Sequence, residues 1–180
     1  MNIVQPIRDK ELIKDIKDYL KEQSERNYIL FLLGINTGLR IKDLLSLRVR
    51  DVEGWSIYIK EAKTGKPNEI FMPPKVKKAV RQYVKDKDKN EYLFKSRQGK
   101  NKPITVSMAY YILRDVAEEF DLERIGCHSL RKTYGYHHYH INNSVVGLMK
   151  MLNHSDPEIT LRYIGVQQDD LNKMQKKMDL

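Results

Sequence analysis

The spacing of apolar residues near the N-terminus predicts two helices. Between residues 12 and 20 apolar side chains recur at the spacing of one helix face, and Asp9 is placed to cap this helix. Residues 28–35 are apolar on nearly all sides, which predicts a central, buried helix capped by Ser24. Gly38 suits the left-handed conformation that ends such a helix. A short helix with inward-facing leucines is predicted after it.

The apolar period changes from that of a helix to that of a strand in the next segment. The alternating set places Trp55, Ile57 and Ile59 against Ser56, Tyr58 and Lys60. This alternation predicts a half-buried strand. Turn-forming residues follow at 64–67, and residues 69–72 are suited to a return strand. We therefore expect a β-hairpin whose tip is formed by residues 63–66.

The remainder of the chain is predicted to be helical, with charged loops at residues 85–90 and 95–102. The predicted helices cover residues 74–84, 106–120, 128–141, 144–152, 157–163 and 169–178. No Gly/Ser-rich linker interrupts them. The expected fold class is mostly α (α+β), a single helical domain over residues 1–180 with a small antiparallel β-hairpin.

Charge and composition narrow the range of partners. The chain has 180 residues and a formal net charge of +9, which favours a polyanionic partner and nucleic acid in particular, although charge alone does not exclude a merely soluble basic protein. Its single cysteine, Cys127, precludes an internal disulfide and suits a reducing cytoplasm. The longest apolar stretch, residues 28–35, is far shorter than the roughly 20 residues that span a bilayer. Residues 1–10 lack the apolar segment of a secretory signal. We expect a cytoplasmic protein without membrane contact.

Motifs for metals and nucleotides are not apparent in the sequence. It contains no phosphate-binding glycine loop of the Walker type, no zinc-protease motif and no obvious cluster of carboxylates for two metal ions. His137, His138 and His140 are close in sequence, but helical geometry does not place all of them on one face. Packing within an aromatic-rich helix explains them better than metal binding. No metal or other cofactor is expected.

Cationic side chains instead stand at the edges of several predicted elements, and a tyrosine follows them. These residues are Arg40, Lys63, His128, Arg131, His154 and Tyr163. Each one alone has an ordinary explanation, as a surface arginine, a solvated turn lysine or a packing tyrosine. Their order and local sequence are more specific. Residues 37–47, 128–133 and 152–155, together with Lys63 and Tyr163, resemble the catalytic domain of the tyrosine recombinase (phage integrase) family over nearly the whole chain.

This resemblance implies a site-specific DNA recombinase or integrase that cleaves and rejoins strands through a 3′-phosphotyrosyl intermediate. Tyr163 resembles the nucleophile, and Arg40 and Arg131 resemble the pair that binds the non-bridging oxygens of the scissile phosphate. Asp43 stands where the family usually has an acidic residue supporting the arginine. Fixed cations stabilise the charge that develops in phosphoryl transfer, and the planar guanidinium suits two-point phosphate contact. Such a site needs neither a metal nor ATP.

The same resemblance assigns the remaining catalytic positions. Lys63 resembles the hairpin lysine that donates a proton to the leaving 5′-oxygen. His128 resembles the histidine that serves proton transfer at the nucleophile, and His154 resembles the residue that hydrogen-bonds the phosphate. A phenol has a pKa of about 10, so its attack at neutral pH requires a base or strong positive potential.

The chain departs from the family pattern at several positions outside the catalytic set. Asn153 stands where glycine is common, Ser129 where aspartate is common and Lys132 where histidine is common, and we expect these to tune activity rather than abolish it. The N-terminal core-binding domain of the family is also not apparent, as in an excised fragment or in short recombinases of the fimbrial-switch type. The basic loop at residues 95–102 is expected to compensate by contacting backbone phosphate.

Two other functions remain compatible with parts of this pattern. One is a catalytically degenerate DNA-binding accessory or regulator, which an intact catalytic set disfavours. The other is a type IB topoisomerase-like relaxase. The expected partner is double-stranded DNA, with a monomer in the absence of DNA and a homo-tetramer assembled on it. In the family, C-terminal segments are exchanged between neighbours, and Leu171, Met174 and Met178 form an apolar face that a neighbour could bury. The tail packing on its own domain is nearly as compatible with this pattern.

Overall fold

The computed structural model describes residues 4–178 and is predominantly helical. Its helices are α1 (Lys10–Gln23), α2 (Glu25–Thr37), α3 (Ile41–Ser46), α4 (Pro74–Val84), α5 (Val106–Glu119), α6 (Cys127–Asn142), α7 (Val145–Met151), α8 (Pro157–Ile164) and α9 (Val166–Lys176). A short 3₁₀ helix spans Val49–Val52, and the two strands are β1 (Ser56–Lys60) and β2 (Pro67–Phe71). The predicted α+β class, with a helical body and one small antiparallel sheet, is confirmed.

Helix α2 lies at the centre of the fold, as its uniformly apolar sequence predicts. It packs against α1, α4 and α6, and both Leu30 and Leu33 are fully buried. Side-chain caps begin the first two helices, because Asp9 accepts hydrogen bonds from backbone amides of α1 and Ser24 does so for α2. Gly38 ends α2 with a φ of 65°, the left-handed conformation expected from the sequence.

The β-hairpin has a plain antiparallel register and a six-residue connection from Glu61 to Lys66. Ile57 is fully buried on the core side. Trp55 belongs to the apolar set of the predicted alternation, yet it is 55% exposed and stacks on Phe71 with ring centroids 6.0 Å apart. It precedes the first strand residue, and a two-stranded sheet covers too little of the core to bury a ring at its open end.

A second, smaller apolar cluster forms near the C-terminus. Its buried members are Leu148, Leu152, Ile164 and Val166. Helix α6 connects it to the main core, because Leu130 near its start belongs to the main cluster and tyrosines further along pack against the small one. Helix α9 begins at Val166, earlier than the residue 169 predicted, since Val166 is drawn into this small cluster.

The histidines of α6 take part in aromatic packing. His137 Nε2 lies 3.0 Å from the backbone oxygen of Ile7, and the rings of Tyr136 and His140 have centroids 4.3 Å apart. Within residues 4–178 no group of three or more His, Cys, Asp or Glu side chains is arranged to hold a metal ion. None of the helices in that range has both the length and the apolar character needed to cross a membrane.

Candidate active site

Arg40 is positioned by the turn between α2 and α3. It is the N-cap residue of α3 and has an extended backbone, while Leu39 and Leu44 on either side are buried. Its guanidinium Nη1 donates to Oε2 of Glu61 at 2.6 Å. The buried leucines fix the backbone, and the carboxylate fixes the direction of the side chain.

Asp43, in the first turn of α3, ties this helix to the hairpin loop. Its side chain is 3% exposed, and Oδ1 accepts a hydrogen bond of 2.8 Å from the backbone amide of Ala62. The resemblance to the family assigns Asp43 the support of an arginine. In the structure the carboxylate that hydrogen-bonds Arg40 is Glu61, and Asp43 holds the loop that carries Glu61.

Arg131 is buried on α6 and bridges two chain segments through its guanidinium. Nη1 donates to the backbone oxygen of Gly38, and Nη2 donates to that of Leu152 at 2.7 Å. Burial, together with the positive charge of Arg40, lowers the pKa of Arg131 from its ordinary value, which still leaves it charged at neutral pH. The two carbonyls therefore orient the guanidinium before any ligand is present.

His154 and Tyr163 are brought together by the turn between α7 and α8. Thr160 donates its hydroxyl proton to the backbone oxygen of Asp156, and its Oγ1 lies 3.2 Å from Nδ1 of His154. Since that hydroxyl proton is already used, Nδ1 must be the donor, which leaves Nε2 facing away from Thr160. The ring of Tyr163 stands perpendicular to that of His154, with centroids 5.1 Å apart.

The phenol of Tyr163 is partly buried among positive charges. Burial raises its pKa, whereas the charges of Arg131 and Arg40 and a hydrogen bond from Arg131 act in the opposite direction. Burial prevails, so the hydroxyl is protonated at neutral pH. The two arginines are nevertheless placed to stabilise the oxygen once it loses its proton.

Lys63 and His128 lie with Arg40 around one open cleft of about 890 Å³. Lys63 is exposed in the hairpin loop. Desolvation and the nearby charges of Arg131, Lys132, Arg40 and Lys63 lower the pKa of His128, so its imidazole is neutral at neutral pH. Arg131, His154 and Tyr163 are not among the residues that line this cleft. Their link to it is electrostatic, because the charges of Arg131 and Arg40 act on both His154 and Tyr163.

Two residues of this region were not predicted as part of the site. Lys132 is 8% exposed and holds Nζ 5.2 Å from the ring centroid of Tyr163. Burial and the charge of Arg8 lower its pKa. Glu61 is 1% exposed and hydrogen-bonded to Arg40. Glu61 has no local sequence signal, because an acidic residue in a basic hairpin normally indicates solvent exposure. Lys132 stands within the motif of residues 128–133, where the sequence analysis noted it only as a departure from the family pattern.

Comparison with known proteins assigns the family. The family model described as "Phage integrase family" matches residues 8–169. The chain therefore belongs to the phage integrase family, and the resemblance in its sequence motifs is confirmed.

Individual relatives agree with this assignment. The chain is 46% identical over 170 residues to the probable integrase/recombinase YoeC of Bacillus subtilis, covering 94% of this chain and 93% of that protein. It is 26% identical to the tyrosine recombinase XerA of Thermococcus onnurineus, spanning 95% of this chain and 62% of that protein.

Solved structures share the fold. A crystal structure of XerA recombinase matches with a TM-score of 0.76 and 19% identity, over 98% of this chain and 66% of that one. The XerH site-specific recombinase, in a pre-cleavage complex with its difH substrate, matches with a TM-score of 0.72 and 18% identity, over 89% of this chain and 51% of that one.

Proposed function

We propose that this protein is a site-specific DNA recombinase and that Tyr163 is its nucleophile. The observation that carries the proposal is that Tyr163 is hydrogen-bonded by Arg131, whose guanidinium is fixed on two backbone carbonyls. The charge of Arg40, which is held by Glu61, also acts on the phenol. Cations held in this way stabilise the charge on the equatorial oxygens of a phosphoryl group under attack. Double-stranded DNA is the proposed partner, consistent with a net charge of +9 and the exposed basic loop at residues 95–102.

In the proposed reaction, Oη of Tyr163 attacks the scissile phosphorus and forms a 3′-phosphotyrosyl bond. His128, neutral at neutral pH, accepts the phenol proton. The bond from phosphorus to the 5′-oxygen breaks, and Lys63 donates a proton to that oxygen. Attack by a 5′-hydroxyl reverses these steps and rejoins a strand. The phosphodiester energy is conserved in the covalent link, so ATP is not consumed.

His154 completes the proposed phosphate site. Burial and the charges of Arg131, Arg40 and Lys63 lower its pKa, so Nε2 lacks a proton in the absence of a ligand. An entering phosphate anion raises that pKa by opposite charge. The protonated ring then donates from Nε2 to a phosphate oxygen while Nδ1 stays with Thr160.

The proposal is tested by covalent capture. Because the target sequence is unidentified, the probe is a library of nicked duplexes with randomised sequence around the nick. Loss of the short strand after cleavage traps the protein on the DNA, and adducts are recovered from denaturing gels and sequenced. We expect an adduct at Tyr163 with an enriched sequence. Binding without an adduct would indicate an accessory DNA-binding protein, and relaxation of plasmids without strand exchange would indicate a relaxase.

Lys63→Ala is expected to lower cleavage of ordinary DNA by about 10²-fold, because a general acid contributes on this scale. A substrate with sulfur in place of the 5′-bridging oxygen should restore cleavage, since its leaving group needs no proton. The measurement is single-turnover adduct formation on both substrates, with Lys75→Ala, at an exposed lysine of α4, as the control. Equal defects on the two substrates would exclude Lys63 as the acid and leave Lys60 and Lys66 as the candidates.

We further propose that protomers are monomeric without DNA and assemble as a tetramer on it, within the cytoplasm. Helix α9 and the turn that follows it support this, because Leu171, Met174 and Met178 are 58%, 63% and 61% exposed. The start of the helix is anchored within its own chain, through buried Val166 and an ion pair of 2.9 Å between Asp169 and Arg8. The exposed turns are therefore available to a neighbouring protomer.

The double variant Leu171→Gln, Met174→Gln is expected to lower strand exchange at least about tenfold while DNA binding and the monomer fold are retained. It removes the exposed apolar face and keeps the anchors of α9. Strand-exchange products are compared with binding measured by gel shift, and Ile141→Gln, an exposed apolar residue on α6, serves as the control. Strand exchange at the wild-type rate would show that α9 has no part in assembly.

A further inference from the structure

Glu61 is a buried carboxylate at the centre of a hydrogen-bond network in the hairpin loop. Its Oε2 accepts from Nη1 of Arg40 at 2.6 Å and from the hydroxyl of Thr64 at 3.0 Å. Its Oε1 accepts from the side-chain amides of Asn153 at 2.7 Å and Asn68 at 3.0 Å. Both oxygens are thus bonded twice, within a side chain that is 1% exposed.

These bonds join three segments that are distant in sequence. Arg40 begins α3, Thr64 belongs to the loop that carries Lys63, and Asn153 immediately precedes His154. Arg40, Lys63 and His154 are all assigned to the phosphate site. Arg40 itself donates a hydrogen bond to Glu61, and Lys63 and His154 each adjoin a residue that does so. A shift of Glu61 would displace all three.

Asn153 joins this network at a position where the sequence departs from the family pattern. Its backbone has a φ of 52°, the left-handed region that glycine adopts most easily and asparagine tolerates. Glycine is the common family residue at this position. Asparagine satisfies the same backbone requirement and adds the amide that reaches Glu61. The asparagine that departs from the family pattern thus has a hydrogen-bond partner, Glu61, in the structure.

The charge of Glu61 is maintained despite burial. Burial alone raises its pKa, but the hydrogen bonds from Arg40, Thr64 and Asn153 and the charge of Arg40 outweigh this, so the net pKa lies below the ordinary value. A buried carboxylate is costly unless it is paired in this way. It also offsets the mutual repulsion of the cations that surround the proposed phosphate position.

We propose that Glu61 is a positioning residue for the recombinase reaction, which sets Arg40, the Lys63 loop and the His154 turn in their working arrangement before DNA binds. This inference rests on the proposed function. Glu61 acts through these residues and does not touch the phosphate, because two anions repel.

The principal test is Glu61→Gln, which keeps the side-chain shape. A glutamine side chain has one acceptor oxygen and no charge, so either Arg40 and Thr64 or Asn153 and Asn68 lose their acceptor. In both orientations Arg40 loses its ion pair and the network is broken on one side. We expect single-turnover cleavage of the captured DNA sequence to fall by about 10²-fold, the scale of a misplacement of about 1 Å. DNA affinity should change by less than about threefold. Glu69→Gln, an exposed glutamate on β2 of the same hairpin, is the matched control and should cleave normally.

Asn153→Gly is the second variant. We expect it to fold normally, because glycine adopts the required φ without strain. Removing one hydrogen bond to a charged group should lower cleavage by about tenfold. When Glu61→Gln and Asn153→Gly are combined, their effects on the free-energy barrier to cleavage should be less than additive, since Asn153 acts through Glu61.

Cleavage of a substrate with less phosphate charge distinguishes the loss of Arg40 positioning from a general disruption of the fold. A methylphosphonate substrate carries a methyl group in place of one non-bridging oxygen and so lacks the charge that Arg40 neutralises. The defect of Glu61→Gln should shrink to less than about tenfold on this substrate. Equal defects on both substrates, or cleavage of ordinary DNA within about threefold of wild type, would overturn the inference.

A DNA-independent measurement keeps this test distinct from that of the proposed function. Hydrogen exchange of the backbone amides of Ala62, Gly65 and His154 should be at least about tenfold faster in Glu61→Gln, with α2 unchanged. Unchanged exchange at these amides would overturn the inference even in an active enzyme. Absence of an adduct with wild-type protein, combined with the expected exchange pattern, would refute the proposed function and leave the role of Glu61 in organising the loops intact.

Discussion

Tyr163→Phe is expected to abolish covalent adduct formation while DNA binding stays within about threefold of wild type. The substitution removes only Oη, the atom proposed to attack phosphorus. The ring keeps its place, because it packs against His154 at 5.1 Å and lies under Lys132 at 5.2 Å. With no other hydroxyl at that position, the loss should be at least about 10³-fold, comparable to removal of a covalent nucleophile in other enzymes.

Denaturing gels of the nicked-duplex reaction measure the adduct, and gel shifts measure affinity. Tyr139→Phe is the matched control, because it removes a hydroxyl from a half-buried tyrosine that packs against the same C-terminal cluster. An adduct at the wild-type level in Tyr163→Phe would show that another residue attacks. Loss of DNA binding would show that the hydroxyl has a structural role instead.

Arg40→Lys is expected to reduce cleavage by about 10²-fold although the positive charge is retained. A lysine can still pair with Glu61, but its ammonium lacks the planar fork that holds a carboxylate on one side and a phosphate on the other. The size of the effect matches the loss of one preorganised transition-state donor. Stability should change little, because the lysine ammonium still pairs with the buried carboxylate of Glu61 and leaves no unpaired charge.

Single-turnover rates of adduct formation measure this effect, with thermal unfolding as a check on the fold. Arg50→Lys, at an exposed arginine whose side chain is 57% accessible, controls for the exchange of one cation for another. A cleavage rate within about threefold of wild type would restrict Arg40 to the network of Glu61 and remove it from the phosphate site.

The order of the helices and the boundaries of the first two are properties of local sequence. Asp9 and Ser24 cap helices because a short polar side chain next to an apolar period satisfies the first backbone amides. Gly38 ends α2 because the left-handed conformation is costly for other residues. Such signals depend on neighbours within one or two turns, so they can be recognised without the fold.

The candidate site was recognisable for a different reason. Arg40, Arg131 and Tyr163 stand in motifs of fixed order that resemble one family, and the family assignment of residues 8–169 agrees with that resemblance. Their chemistry is also informative on its own, because a guanidinium pair with a tyrosine suits attack on a phosphodiester. Their roles in this chain remain proposals that the variants above test.

By itself, the sequence determined the succession of helices, the hairpin and the set of cationic residues, all of which depend on local spacing or on motif order. Only the tertiary structure decided which carboxylate supports Arg40, where Lys132 lies and that Trp55 is exposed. Glu61 meets Arg40 and Asn153 across 21 and 92 positions of the chain. Whether a charged side chain is buried, and which groups hydrogen-bond to it, depends on how distant segments pack. A local sequence pattern does not contain that information.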